Sequence, residues 1–279
     1  MNTSKKLFAF DIDGTLLNDE KKILHSTKIA INSLINKGHI VCLATGRIPI
    51  QTIDIIRELG LIHEVVGADG GCIYSIKEDK TKILANPISD YDKRIILNYA
   101  LEYKRELAFN NGINYWKSYF GECPKKEVND YFFFIGGSSK YPIYDDNETT
   151  SKIFLESKDI IQCSIKVESS KLMELTTKIN KEISSDSCYH LTSKVYYVLT
   201  RKNINKYNAL KLVQEKYQIN NMDTYCFGDS HNDIEMVKNF ANGVAMGNAT
   251  NELKNVSKYI TDSNNNHGIY KFLNINNLI

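Results

Sequence analysis

Two apolar runs near the amino terminus, Leu7-Phe8-Ala9-Phe10 and Ile40-Val41-Cys42-Leu43-Ala44, carry no charged or polar side chain on either face. A strand turns successive side chains to opposite faces, so an unbroken apolar strand has to be covered on both. Helical patterning fills the gap between the two runs. Ala30, Ile31, Leu34 and Ile35 keep helical spacing, Ser26 offers an N-cap and Gly38 a stop. A helix around Ile50 to Leu59 ends at Gly60, and the strand Val65-Val66 follows. The pattern returns late in the chain, with a helix from Ala209 to Tyr217, a strand from Thr224 to Phe227 and a helix from Asp233 to Phe240. Strands alternating with helices in this way predict an α/β fold, a parallel sheet covered by helices on both faces. Open sheets of this type bind ligands beyond the carboxyl ends of their strands. Asp11, Thr45 and Asp229 each stand just after such a strand, so three distant segments are predicted to converge on one crevice.

Length and charge narrow the possibilities. A chain of 279 residues suffices for one large domain or two ordinary ones. The net charge of +2 is nearly balanced and the basic residues are dispersed, so nucleic acid is not an expected partner. Leu7 to Phe10 is too short for a signal-peptide core, and no segment approaches the roughly twenty apolar residues of a membrane span. Six cysteines, at 42, 72, 123, 163, 188 and 226, show no Cys-x-x-Cys spacing. They are expected to stay reduced, with Cys42 and Cys226 in the core, in a cytoplasmic protein with no membrane partner.

The first apolar strand delivers Asp11 and Asp13 into a glycine turn. Asp13-Gly14 on its own suits a hairpin turn, but the residues after it do not alternate as a second strand. An oxygen-rich pair at a strand end suits Mg²⁺, which takes few carboxylates plus waters and phosphate oxygens. Three later motifs complete the pattern: Ala44-Thr45-Gly46-Arg47, then Asn205-Lys206, then Phe227-Gly228-Asp229-Ser230-His231-Asn232-Asp233. Thr45-Gly46 precedes a helix that Pro49 can open, a setting that favours anions and equally suits an ordinary strand-ending turn. Lys206 by residue type is a surface lysine; only its order before the last motif suggests a point cation for a phosphoryl group. Asp229, Asn232 and Asp233 together exceed what a helix cap requires. Arg47 suits a substrate contact or a salt bridge equally well.

In order and chemistry these motifs resemble the four motifs of the haloacid dehalogenase (HAD) superfamily of phosphatases. Gly243-Val244-Ala245-Met246-Gly247-Asn248-Ala249 and Gly268-Ile269 are similar to its Cof-type subfamily IIB of sugar and nucleotide-cofactor phosphatases. The resemblance spans nearly the whole chain outside the middle third. It implies a Rossmann-like parallel-sheet core, residues 1–83 and 191–279, with an inserted α+β cap of the C2 type at 84–190. The middle is rich in tyrosine, holds the apolar run Tyr131-Phe132-Phe133-Phe134-Ile135 and has a strand-then-helix stretch from Ile161 to Ile183. By resemblance, Asp11 is the nucleophile that forms an aspartyl-phosphate, and Asp13 is the acid and base. Mg²⁺ is held by Asp11, by the backbone carbonyl of Asp13 and by Asp229. The Thr45 hydroxyl, the backbone amides of Ile12 and Gly46, Lys206 and Asn232 receive phosphate oxygens, and Asp233 orients a water beside the ion. These roles match what monoester hydrolysis demands: a nucleophile, charge neutralisation and a proton for the leaving oxygen.

Two departures from the family pattern bear on the phosphate end. Tyr207 stands where glycine usually follows the lysine, and Ala68-Asp69-Gly70-Gly71 stands where Asn-Gly-Ala or Asn-Gly-Gly is usual. His231 occupies a variable position, solvent-facing or beside the substrate, and Asn264-Asn265-Asn266 reads as a solvated loop. Tyr115, Trp116 and Tyr119 suit either a sugar-stacking face or the core of a small domain. The expected activity is Mg²⁺-dependent hydrolysis of a small phosphorylated metabolite, sugar phosphates foremost. The alternatives are transfer of the kind performed by phosphomannomutase, a receiver-type phosphoacceptor, and a binding protein without catalysis. The second carboxylate and the long insertion speak against the receiver, and the full set of carboxylates against an idle site.

Overall fold

The computed structural model describes residues 4–60, 62–121, 143–144, 147–192 and 195–279. It opens with β1 (Leu7–Phe10), α1 (His25–Asn36), β2 (Ile40–Ala44), α2 (Ile53–Leu59) and β3 (Glu64–Gly67), then the hairpin β4 (Cys72–Ser75) and β5 (Lys80–Ile83). The middle contributes α3 (Asp90–Glu102), β6 (Glu106–Asn110), β7 (Tyr115–Tyr119), β8 (Ile143–Tyr144), α4 (Asn147–Glu156), β9 (Gln162–Lys166), α5 (Ser169–Ile179), β10 (Ser187–Thr192) and β11 (Tyr196–Arg201). The last stretch is α6 (Lys206–Tyr217), β12 (Thr224–Gly228), α7 (Ile234–Asn239), β13 (Asn242–Ala245), α8 (Asn251–Val256), β14 (Tyr259–Ile260) and α9 (Gly268–Ile275). The chain divides into two compact units, one of residues up to Pro49 with Ile53–Leu84 and Asn205–Ile279, the other of Ile50–Thr52 with Ala85–Ile204.

In the first unit the described strands form one sheet in the order β14-β13-β12-β1-β2-β3-β4-β5. All pairs are parallel except those of β4 with its neighbours β3 and β5. Every residue of β1 is fully buried, as an apolar strand covered on both faces has to be. Register sets the site: Phe10 stands opposite Leu43 of β2 and Phe227 of β12, so three strands end nearly level. Phe10 also stacks on Phe227 with ring centroids 4.8 Å apart.

Several local expectations change on contact with the fold. Helix α1 begins at His25 with Leu24 at its cap, and Ser26 lies inside it with its hydroxyl 2.7 Å from Nδ1 of His267. Ser26 is thus too far into the helix to cap it, and its hydroxyl meets a partner far along the chain. Helix α6 begins at Lys206, earlier than Ala209, because the Asn205 side chain caps it by accepting from the Asn208 amide at 2.8 Å. The Asn264–Asn266 run is not solvated throughout. Asn264 is buried, and its amide donates to the Leu17 carbonyl at 3.0 Å and to Asp19 at 3.2 Å. The described cysteines are free thiols, with Cys42, Cys72, Cys163 and Cys226 buried.

The second unit is α+β, with its own sheet in the order β10-β11-β9-β6-β7-β8. Its core gathers Phe109, Phe154, Ile165, Leu175 and Tyr197. Trp116 stacks on Phe109 at 5.3 Å and packs against that core, which settles one of the three aromatic residues in favour of packing. The unit runs on past residue 190: β10 and β11 pair from Ser187–Arg201 to Thr192–Tyr196, and β11 sits between β10 and β9. An interior strand cannot leave its sheet, so the chain leaves this unit only after Ile204. The apolar run at Tyr131 to Ile135 and Cys123 lie outside the described residues.

Asp92 ties this unit together. It is fully buried on α3 and accepts from the Ser184 amide at 2.7 Å, the Ser184 hydroxyl at 2.6 Å and the Ser187 hydroxyl at 2.7 Å. Burial opposes its charge, but these donors outweigh burial and hold the carboxyl below the usual range. A carboxyl lowered on folding stabilises above its unfolded value of about 3.9, and that contribution is lost as pH falls through the folded value. Asp92→Ala is therefore expected to cost about 2–4 kcal/mol at neutral pH. The deficit should shrink below about pH 4. Urea unfolding at both pH values checks this, and equal midpoints for variant and wild type at neutral pH would contradict it.

Candidate active site

Asp11 leaves the end of β1 with its amide donating to the Phe227 carbonyl at 3.0 Å. The Leu16 amide then returns to the Asp11 carbonyl and the Leu17 amide to that of Ile12, so Asp13-Gly14 belongs to a compact loop and not to a two-residue hairpin. Lys206, the first residue of α6, is fully buried, contrary to the surface position its residue type suggests. Its Nζ lies 2.6 Å from Asp11 Oδ1 and 2.6 Å from Asp233 Oδ1. Gly70, at φ +99°, lets its loop press against the helix start: a Cβ there would fall 2.2 Å from the Asn205 carbonyl oxygen.

Asp233 is fully committed. Its Oδ2 accepts from the amides of Asp229 and Ser230, each at 3.0 Å, in a reciprocal cap at the turn that follows β12. Asp229 accepts from the Thr15 hydroxyl at 2.9 Å. Asp11, Asp229 and Asp233 offer carboxylate oxygens all within 4.8 Å of one another.

Burial pushes the Asp11 carboxyl well above the usual range against the pull of Lys206, and Asp233 and Asp229 add to the rise. Burial, then Asp233, pushes Asp229 up to about 7. Burial opposes the charge of Lys206 too, but Asp11, Asp233 and Asp69 outweigh it and hold the ammonium firmly protonated. One cation among several crowded carboxylates leaves negative charge that a metal ion would relieve. Hard oxygen donors of this kind fit Mg²⁺.

Asp13 lies outside that carboxylate group. Arg47 grips it from two nitrogens, Nε to Oδ2 at 2.9 Å and Nη2 to Oδ1 at 2.7 Å, and Lys21 Nζ stands 3.3 Å from Oδ1. Burial opposes its charge, yet Arg47 and Lys21 outweigh it and hold this carboxyl below its ordinary value. Arg47 thus forms a two-pronged salt bridge with Asp13 in this structure.

The phosphate-binding candidates form a second group. The Thr45 hydroxyl accepts from the Arg47 amide at 3.2 Å. The Asn232 amide donates to Asp69 Oδ1 at 2.8 Å, and the Asp69 carboxylate lies against Gly46. The Ile12 side chain is buried in the core. Tyr207 packs its ring edge-on against Phe240 at 4.9 Å, on the contact between α6 and α7. His231 is exposed, 4.0 Å from Glu252. Sequence reasoning gave no role to Thr15, Lys21 or Asp69. Thr15 could have been found from its place in the Asp-x-Asp-Gly-Thr run and Asp69 from its departure from asparagine, whereas no spacing points to Lys21.

The family model for haloacid dehalogenase-like hydrolases matches residues 8–273. YkrA of Bacillus subtilis is 30% identical over 270 residues, 95% of each chain. The 5-amino-6-(5-phospho-D-ribitylamino)uracil phosphatase YcsE of the same organism is 27% identical over 271 residues, 95% of this chain and 93% of its own. Among solved structures, the HAD subclass IIB sugar phosphatase BT4131 superposes with a TM-score of 0.82 at 22% identity, over 99% of this chain and 100% of its own, a likeness of fold. A match that runs from β1 to the closing helix takes in every strand-end motif described above, and the chain accordingly belongs to the haloacid dehalogenase-like hydrolases, as a phosphatase of their Cof-type branch.

Proposed function

We propose that the protein hydrolyses small phosphate monoesters, sugar phosphates foremost, in a Mg²⁺-dependent reaction through an aspartyl-phosphate on Asp11. The observation that carries this reading is the fully buried ammonium of Lys206, 2.6 Å from Asp11 among three clustered carboxylates. Asp11 attacks phosphorus as the ester oxygen departs, and water later cleaves the acyl phosphate, so one hard step becomes two. Asp11, Asp229 and the Asp13 carbonyl would hold Mg²⁺, whose charge neutralises the anionic ester. Asp13 protonates the leaving oxygen and then takes a proton from the attacking water. To serve as acid it has to leave the grip of Arg47 and gain a proton. Lys206, Asn232, the Thr45 hydroxyl and the amides of Ile12 and Gly46 receive phosphoryl oxygens, while Asp233 fixes Lys206 and orients water beside the ion.

The names of the relatives support the substrate class: BT4131 is a sugar phosphatase and YcsE acts on a phosphorylated ribityl compound. The free thiols suit a reducing compartment, and among the described residues no helix is long and apolar enough to cross a membrane; both accord with a cytoplasmic enzyme.

Asp11→Asn keeps the shape and removes the nucleophile, and should lower kcat by at least about a thousandfold with the melting temperature retained. Phosphate release from a panel of sugar phosphates, run beside the wild type, measures this, and substantial residual hydrolysis removes Asp11 from its role. Gly14 sits at φ +84°, and a Cβ there would lie 2.4 Å from Asp229 Oδ2. Gly14→Ala should displace Asp229 and lower kcat/KM about a hundredfold; kinetics at the wild-type level would show that the site does not need this close approach. Chelation with EDTA should abolish activity. Below pH 7 protons compete with the ion for Asp229, whose carboxyl titrates at about 7, so the Mg²⁺ concentration for half-maximal rate should rise as pH falls from 8 to 6. A requirement flat across that range would contradict the ligand assignment.

A further inference from the structure

Asp69 is held in an unusual way. It lies in the left-handed region at φ 53° and ψ 31°, directly after Ala68 at φ 48°. Two adjacent residues other than glycine in that region signal a conformation that the surroundings enforce. The enforcement is visible: the Ala68 amide donates to the Arg47 carbonyl at 2.9 Å and the Asp69 amide to the Thr45 carbonyl at 3.0 Å. The loop after β3 is thereby zipped to the loop after β2. The outcome is a buried carboxylate, 5% exposed, between two segments of the phosphate site. A Cβ on Gly46 would lie 3.1 Å from one Asp69 oxygen and 3.2 Å from the other, and Oδ1 takes the Asn232 amide at 2.8 Å. Its charge also reaches Lys206.

An ionised carboxylate only accepts, which decides the end of the Asn232 amide that faces it. The amide nitrogen is drawn to Asp69, and its second hydrogen stays in the same plane for an anion. Without an acceptor there, the amide is free to turn and present its oxygen, which repels phosphate. The same carboxylate brings a negative charge close to any bound phosphate.

We propose that Asp69 is a positioning residue that holds Asn232 in its donor orientation and whose charge weakens the grip on inorganic phosphate, so that product leaves faster. This rests on the reading of Gly46 and Asn232 as phosphate donors. The organic leaving group is untouched by it, so the effect is common to all esters.

Two variants separate the effects. Asp69→Asn keeps an acceptor oxygen, removes the charge and suits the left-handed backbone. Asp69→Gly removes the side chain, and glycine adopts that backbone without strain. Each is assayed as the Mg²⁺-loaded enzyme for kcat and KM with p-nitrophenyl phosphate, for inhibition by inorganic phosphate, and for melting temperature. Asp69→Asn should tighten product inhibition roughly tenfold, as loss of one nearby like charge does, and lower the KM for the ester in step. Asp69→Gly should fall about tenfold below Asp69→Asn in kcat/KM, the scale of one lost charge-assisted contact, and adding Asn232→Ala should lower it no further. Unchanged phosphate inhibition in folded Asp69→Asn overturns the charge effect, and equal kcat/KM in the two variants overturns the positioning. Asn232→Ala is the control for the underlying reading: if it alone alters neither KM nor phosphate inhibition, Asn232 is no phosphate donor and the role of Asp69 falls with it.

Discussion

The buried ammonium of Lys206 is the interaction on which the site depends. Taking a charge out of water costs several kcal/mol unless partners replace the lost hydration, and here Asp11 and Asp233 each stand 2.6 Å away. Each partner is itself fixed by backbone: Asp11 through the Phe227 carbonyl, Asp233 through the amides of Asp229 and Ser230. The lysine therefore reports on the relative placement of β1, β12 and α6. Removing either carboxylate strands the ammonium, and removing the ammonium leaves two carboxylates facing each other.

Glycines let these elements come so close. A Cβ on Gly228 would lie 2.5 Å from that of Asp233, and Gly70 admits the carbonyl of Asn205. Both are places where any side chain would push apart the groups that hold Lys206. The geometry of the candidate site is thus a matter of backbone approach as much as of the polar residues themselves.

The parallel sheet and the strand-end carboxylates were legible because their signals are local. An unbroken apolar run such as Leu7 to Phe10 states its own burial, and Asp-x-Asp-Gly, ambiguous by itself, gains meaning from the order of the motifs that follow it. What escaped depends on partners distant in sequence. Ser26 finds His267, Asn264 finds Leu17 and Asp19, and Lys21 finds Asp13, none at a spacing that a helix or strand would impose. The second boundary escaped for the same reason, since β11 looks like a return to the core until its pairing with β9 and β10 is known. Lys206 was placed by the order of the motifs; its residue type pointed to the surface.

The level strand ends have a further consequence, for synthesis. β1 can pair with β2 almost as soon as both have been made, but its other neighbour, β12, and its lysine come only after the second unit; Lys206 lies 195 residues beyond Asp11. At about 5–20 residues per second this leaves the apolar edge of β1 uncovered for roughly 10–40 s on the ribosome. Asp11 is thus made long before it is enclosed, and through that interval an open apolar edge invites pairing with other chains. A fold that brings Asp11 and Lys206 together across a whole intervening unit is exposed to aggregation for as long as that unit takes to make.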